Sequence, residues 1–263
     1  MAKSSDHDTW SLGHSYDEYM GRWSRAVAAR FLDELAPAPD LEWVDVGCGT
    51  GALAARIAAA CSPLAVTGVD PSADFVAAAA ATVTAARFEV GTADALPLGP
   101  DSVDVVASAL AYNFVPDRPA ALAEFRRVCR PGGTLAFYVW DYPGGGVGFI
   151  DEFWRHASVL DPAAGALDEA ARFPFCTDTG LAGDVIAAGF ADVTVRPIEI
   201  ATPFVDFDAF WHPFTLGAGP APGYLAGLEP EACERLRGAL AVTLHGRTER
   251  LTARAWAVTA TNP

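Results

Sequence analysis

Val44-Asp45-Val46-Gly47-Cys48-Gly49-Thr50-Gly51 is the stretch on which the reading of the fold depends. An apolar run with β-branched residues, 41–46, leads into it, and an Ala-rich run, 51–60, leads out. Three glycines at alternate positions between a strand and a helix spell a sharp turn. Glycine is needed there because the backbone bends strongly and must approach a ligand without a Cβ in the way. The N-terminus of the helix that follows offers unpaired N–H groups to an anion.

Working outward, the alternation continues. Segments 64–69, 87–90, 103–108 and 134–140 read as strands, and 72–82 reads as a helix. Asp117 is placed to cap a further helix with Pro119 in its first turn, running to about residue 128. Pro131-Gly132-Gly133 is expected to end it. Strands alternating with helices over short connections predict a mostly parallel sheet with right-handed crossovers. After residue 141 the rhythm changes. Gly144-Gly145-Gly146 reads as a hinge or a tight loop, and 149–178 is rich in aromatic and turn residues. A helix over 180–188 ending at Gly189, a strand over 192–200, an aromatic Pro/Gly-rich insertion over 204–227, a helix over 230–244 and a last strand over 251–261 follow. Residues 10–36 precede the sheet as one or two amphipathic helices.

Composition narrows the function. With 263 residues, 51% of them hydrophobic, the chain is long enough for one large α/β domain with a cap. The formal net charge of −15 disfavours a polyanionic partner, so no nucleic acid is expected. No apolar run is long enough to span a membrane. The polar N-terminus lacks a signal-peptide core, which predicts a cytoplasmic protein. Five scattered cysteines without C-x-x-C spacing read as reduced thiols, with no metal site.

The glycines alone do not name a ligand, because with Ala52 they also satisfy the dinucleotide pattern G-x-G-x-x-A. Asp45, two residues before Gly47, is placed to answer an ammonium, for which a pyrophosphate cofactor gives no reason. Asp70, nineteen residues after Gly51, is placed to bind ribose hydroxyls and suits either cofactor. Asp94, in Gly91-Thr92-Ala93-Asp94-Ala95-Leu96-Pro97, is placed to accept a hydrogen bond from an adenine amino group.

Together these residues resemble the class I S-adenosylmethionine-dependent methyltransferases, in particular the small-molecule group that includes the quinone-biosynthesis enzymes. The resemblance covers about residues 41–140. It implies an α/β fold: a Rossmann-like, seven-stranded, mostly parallel sheet with helices on both faces, a C-terminal antiparallel hairpin (192–200 with 251–261) and a small cap. It implies S-adenosylmethionine as cofactor and S-adenosylhomocysteine as product. On this resemblance Asp45, Gly47, Cys48, Gly49 and Gly51 form the cofactor turn, and Asp70-Pro71-Ser72 is the ribose segment. Phe75 packs near the adenine, and Ala93-Asp94-Ala95 is the adenine segment. The loop Leu110-Ala111-Tyr112-Asn113-Phe114-Val115-Pro116-Asp117 passes under the methionine arm, with Leu110 and Asn113 as contacts. Arg126-Arg127-Val128-Cys129-Arg130-Pro131-Gly132-Gly133 is similar to a structural run of the family. The chain departs from the family at Asn113-Phe114, where many relatives carry His-His, so histidine chemistry at that loop is absent. Tyr16, Tyr19, Arg22 and Trp23 resemble a helix closing over the cofactor. Tyr19 and Trp23 are equally read as core anchors at i, i+4 spacing. The expected organisation is one methyltransferase domain over 1–263. It comprises a helical lid (1–36), a cofactor-binding core (37–141) and cap insertions (142–178 and 202–230).

Methyl transfer from a sulfonium is an in-line displacement, so alignment is the protein's main task, worth ~7–11 kcal/mol in favourable cases. A base is required only for an un-ionised acceptor. Asn113, His156 and His212 are the candidate catalytic residues; the two histidines lie in the cap beside Trp154 and Trp211, although a lone histidine is more often structural. Tyr112 and Trp140 either line the cleft or belong to the core. The aromatic weight of the cap suits a small, mostly apolar acceptor, bound by a monomer or a homodimer. The alternative is an enzyme of the same fold and cofactor that catalyses cyclisation, decarboxylation or rearrangement. An NAD-dependent oxidoreductase is disfavoured by Asp45 and Asp94.

Overall fold

The computed structural model describes residues 17–217 and 219–263. A π-helical turn, Asp17–Gly21, leads into α1 (Arg22–Leu35). There follow β1 (Glu42–Val46), α2 (Ala52–Ala60), β2 (Ala65–Asp70), α3 (Ala73–Thr82), β3 (Arg87–Val90), β4 (Val103–Ala109), α4 (Arg118–Val128) and β5 (Cys129–Trp140). The second half holds α5 (Gly148–Leu160), α6 (Asp178–Ala187), β6 (Ala191–Ala201), α7 (Pro220–Ala226), α8 (Pro230–Thr243) and β7 (Thr252–Thr261), with shorter helical turns between them.

The seven strands form one sheet in the order β3-β2-β1-β4-β5-β7-β6. β1 pairs in parallel with both β2 and β4, β2 with β3, and β4 with β5. β7 runs against both its neighbours. Toward β5, Asn262 N bonds Gly133 O while Asp141 N bonds Arg254 O; toward β6, Thr202 N bonds Leu251 O while the Thr194 and Thr259 hydroxyls meet. The expected Rossmann-like sheet with an antiparallel C-terminal hairpin is therefore present. Central strands β1 and β2 are buried on both faces, as parallel strands covered by helices must be. Ser72 caps α3 by accepting from Phe75 N, and Asp117 caps α4 by accepting from Ala120 N, with Pro119 in the first turn as expected.

Two elements differ from the sequence reading. The first part of segment 149–178 belongs to a 13-residue helix, α5, that starts at Gly148. Its buried residues Phe149, Ile150, Phe153, Trp154 and Ala157 recur at helical spacing, a period that the density of aromatic residues masks. Strand β5 begins at Cys129 rather than 134: Val103 pairs with Cys129 and Val105 with Thr134, so Arg130–Gly133 bulges out of the ladder. A Cβ at Gly133 would stand 2.8 Å from Asp104 O, which is why glycine closes the bulge.

The chain divides into two compact units. One comprises Arg25–Val139, Asp178–Ile198 and Ala255–Pro263, and its core includes Trp43, Ile57, Tyr112, Phe125 and Phe137. The other comprises, among the described residues, 17–24, Trp140–Thr177 and Glu199–Arg254, with Phe149, Phe153, Trp154, Phe210 and Phe214 in its core. No helix among the described residues is long and apolar enough to cross a membrane.

Candidate active site

The strand order reverses at β1: β2 and β3 extend the sheet on one side, β4 and β5 on the other. A crevice beyond the C-terminal ends of β1 and β4 is the place where open α/β sheets bind ligands. Four of the expected segments meet this edge because each follows a parallel strand. They are Gly47–Gly51 after β1, Asp70–Ser72 at the end of β2, Gly91–Ala95 after β3 and Leu110–Asn113 after β4.

Each glycine of the turn is required for a different reason. Gly47 has φ +72°, and a Cβ there would lie 2.3 Å from the Ala111 Cβ, so the turn packs directly on the loop after β4. Gly51 has φ +87°, and its Cβ would press on Phe88, Val83 and Ala79 at 3.1–3.2 Å. Gly49 has φ +52° but faces open space, with nothing within 4 Å of its Cβ position. The middle of the turn is thus open, and the outer glycines seat it on the scaffold.

Two carboxylates flank this turn. Asp70 holds it from β2: one oxygen accepts Gly49 N at 2.9 Å, the other accepts Ser72 N at 2.9 Å. Asp45 is wholly buried. Its Oδ2 accepts Ala54 N at 3.0 Å in the first turn of α2, while its Oδ1 has no hydrogen-bond partner. Desolvation, reinforced by the charge of Asp70, raises the Asp45 carboxyl to about 7. Burial and the same two carboxylates push the Cys48 thiol well up, so it is inert as a nucleophile.

After β4 the chain turns sharply: Leu110 takes φ +56°, with its N–H on Tyr138 O at 2.8 Å. Asn113 then lies buried in a 3₁₀ turn, its Nδ2 without a partner. The ends of neighbouring strands therefore carry one unsatisfied acceptor atom and one unsatisfied donor. Tyr112, left open between cleft and core, is core: its ring lies 4.6 Å from Phe137, and its hydroxyl donates to Asp184 at 3.2 Å. Arg118 Nε donates to the same carboxylate oxygen at 2.9 Å. This tie joins residues 72 apart in sequence, and no local pattern announces it. Phe75 and Ala93 are half-buried, Asp94 and Ala95 are exposed, and Thr92 and Ala95 close a bridge that shapes the segment.

The remaining candidates lie in the other unit. His156 has both ring nitrogens engaged, at 2.8 Å from Glu152 O and 2.8 Å from Thr243 Oγ1. His212 is exposed. Tyr19 and Trp23 are buried, and neither the Tyr19 hydroxyl nor Trp23 Nε1 has a partner. The Arg22 guanidinium stacks 4.0 Å over Trp23 and 4.6 Å over Phe204. Tyr16 lies outside the described residues. Among the described residues, no group of His, Cys, Asp or Glu is placed to hold a metal ion. Glu169, a buried acid of this unit bonded to Trp154 Nε1 at 2.5 Å, was not expected from the sequence.

Residues 44–137 match the family model of the methyltransferase domain. The chain is 34% identical over 132 residues to nocamycin O-methyltransferase of Saccharothrix syringae, an alignment covering 47% of this chain and 46% of that protein. It spans about half the length of the curated relatives it matches. Its fold is shared with a candidate methyltransferase of an antibiotic biosynthesis pathway from Anabaena variabilis, with a TM-score of 0.65 at 18% identity, covering 90% of this chain and 96% of that one. It is also shared with Haemonchus contortus phosphoethanolamine N-methyltransferase 2, solved with S-adenosylhomocysteine, with a TM-score of 0.56 at 17% identity, covering 97% of this chain and 58% of that one.

Proposed function

We propose that this chain, whose residues 44–137 form a methyltransferase domain of the class I S-adenosylmethionine-dependent type, transfers a methyl group to a small organic acceptor. The observation that carries this reading is the complementary pair of unsatisfied atoms, Asp45 Oδ1 and Asn113 Nδ2, at the ends of β1 and β4. The amino-acid end of S-adenosylmethionine presents one ammonium and one carboxylate. An unsatisfied carboxylate oxygen suits the first, and an unsatisfied amide donor suits the second. A dinucleotide fits less well, because the buried Asp45 carboxyl stands beside the turn where a pyrophosphate would lie, whereas Asp70 suits either cofactor.

On this reading Asp70 takes the ribose hydroxyls, and Phe75 with Ala93-Asp94-Ala95 takes the adenine. The open face of Gly49 lets the ligand approach the backbone. When bound, S-adenosylmethionine supplies a methyl group already activated on a sulfonium. The chain's own residues then have to bind, orient and exclude water rather than generate a nucleophile. Its two carboxylates hold a field that favours a cationic ligand over a neutral one.

Isothermal titration with S-adenosylhomocysteine and with NADH tests the assignment. S-adenosylhomocysteine binding without NADH binding is expected, and the reverse would overturn it. Mass spectrometry of acceptor mixtures incubated with S-adenosylmethionine then separates methylation, read as a gain of about 14 Da with release of S-adenosylhomocysteine, from a non-methylating reaction on the same fold.

A further inference from the structure

The loop after β4 is gripped by a carboxylate from a helix much later in the chain. One oxygen of Asp184, on α6, accepts both the Tyr112 hydroxyl at 3.2 Å and Arg118 Nε–H at 2.9 Å. Tyr112 opens the 3₁₀ turn Tyr112–Phe114, and Arg118 is the first residue of α4. A single side chain therefore ties together the two ends of segment 112–118, with Asn113 inside it. Tyr112, Asn113, Arg118 and Asp184 all belong to one compact unit.

Other contacts shape the segment locally. Upstream, Leu110 N bonds Tyr138 O at 2.8 Å, and Ala111 packs on the glycine turn at Gly47. Within it, Phe114 N bonds Ala111 O at 3.0 Å and Val115 N bonds Tyr112 O at 3.1 Å, while Asp117 caps α4. The Asp184 tie does something different, because it fastens the segment to a separate helix. Ring packing does not account for it: phenylalanine at position 112 would keep the 4.6 Å contact with Phe137 and lose the hydroxyl. Burial, and then the negative charge of Asp184, hold the Tyr112 phenol well above its ordinary range, so it stays a donor.

What the tie protects is the state of its neighbour. Asn113 is 5% exposed, and its Nδ2 has no hydrogen-bond partner. A buried amide donor left unsatisfied is unfavourable, so a loose turn would let it swing to a carbonyl or to water. Only a turn held in place keeps such a donor available, and a donor held ready binds its ligand without the cost of ordering it.

We propose that Asp184 is a positioning residue for cofactor binding: by joining Tyr112 to Arg118 it keeps Asn113 Nδ2 available to the carboxylate of the ligand's amino-acid end. It thereby sets affinity for that end of the ligand and not for the nucleoside. The inference rests on the methyl-transfer reading, which gives Asn113 its ligand.

Titration calorimetry of the full chain with S-adenosylhomocysteine and with methylthioadenosine, which lacks the amino-acid end, tests the proposal. The wild type is expected to bind S-adenosylhomocysteine more tightly than methylthioadenosine. Asp184→Ala and Tyr112→Phe are each expected to bind S-adenosylhomocysteine at least fivefold more weakly, and methylthioadenosine within twofold of the wild type. Tyr112→Phe keeps the ring packing and so separates loss of the tie from loss of the fold. On an Asn113→Ala background, Asp184→Ala should cost less than twofold more, because its effect passes through Asn113. Equal losses for the two ligands would make the tie merely structural and overturn the proposal. Unchanged affinity for both, or a full additional loss on the Asn113→Ala background, would overturn it too. A wild type that binds S-adenosylhomocysteine no more tightly than methylthioadenosine would sink the role of Asn113 along with this one. A wild type with the expected preference, left intact by Asp184→Ala, would sink this inference alone.

Discussion

Asp141 and Arg254 form the clasp around which the Gly144-Gly145-Gly146 loop is wound. Asp141 Oδ2 accepts the Arg254 Nε–H at 2.7 Å, and its Oδ1 accepts Gly144 N at 3.0 Å. Asp141 N bonds Arg254 O and Arg254 N bonds Gly146 O, so side chains and backbone close the same junction. A Cβ at Gly144 would lie 2.3 Å from the carboxylate, and one at Gly146 would lie 2.8 Å from Asp141 O. The glycine run is therefore a tight loop around a buried carboxylate and not a hinge.

Removing the clasp should cost stability. Asp141→Ala leaves the Gly144 amide and the Arg254 guanidinium without their acceptor. Because Arg254 keeps 32% side-chain exposure, water recovers part of the loss, and a drop of roughly 1–3 kcal/mol is expected. Urea unfolding of the full chain measures it; an unchanged midpoint would show that the loop holds itself.

Asp45 should trade stability against binding. Its carboxyl is raised to about 7 by burial, whereas in the unfolded chain it has the ordinary low value. The folded state therefore holds the proton more tightly, and ionising Asp45 destabilises the fold progressively as pH rises from about 4 to about 7, an effect complete above that. Asp45→Asn is expected to raise the melting temperature of the ligand-free chain at pH 8 and to have little effect at pH 4. The same change should weaken S-adenosylhomocysteine binding tenfold or more. Identical melting at pH 8 would contradict the burial argument.

Gly47 and Gly49 should respond differently to alanine. At Gly47 the new methyl meets the Ala111 Cβ at 2.3 Å on top of the positive φ, so Gly47→Ala should unfold the chain or lower its melting point sharply. At Gly49 the methyl enters open space, leaving only a backbone cost of roughly 1–2 kcal/mol. Gly49→Ala should fold and lose affinity for S-adenosylhomocysteine. If both variants fold and bind equally well, the division of labour within the turn is wrong.

Asp70→Ala removes a carboxylate that both clasps the turn and is proposed to bind ribose. Affinity for S-adenosylhomocysteine should fall several-fold or more, whereas affinity for methionine alone, which lacks the ribose, should change less. Equal losses for the two ligands would reduce Asp70 to a structural clasp.

Much of the fold was legible because strand and helix periods, caps and turns are local properties. Ser72 and Asp117 cap the helices they precede, and the strands flanking the glycine turn pair as their burial pattern demands. Helix α5 was not legible, because its apolar positions lie among so many other aromatics that no single face stands out. The β5 bulge was missed for another reason. A Pro-Gly-Gly run reads as an interruption, and only its neighbour β4 reveals that the strand resumes pairing at Thr134.

The edge of the sheet follows the same division. Residue types and spacing by themselves determined that the glycine turn, Asp45, Asp70 and the loop after β4 meet at one edge, since each sits at or just beyond a strand end and parallel strands bring those ends together. Tertiary structure alone decided which polar atoms are satisfied. It bonded Tyr112 to Asp184, engaged both nitrogens of His156, and left Asp45 Oδ1, Asn113 Nδ2 and the Tyr19 hydroxyl without partners. Hydrogen bonding and desolvation depend on which atoms meet in space, and that information is carried by contacts between residues far apart in the chain.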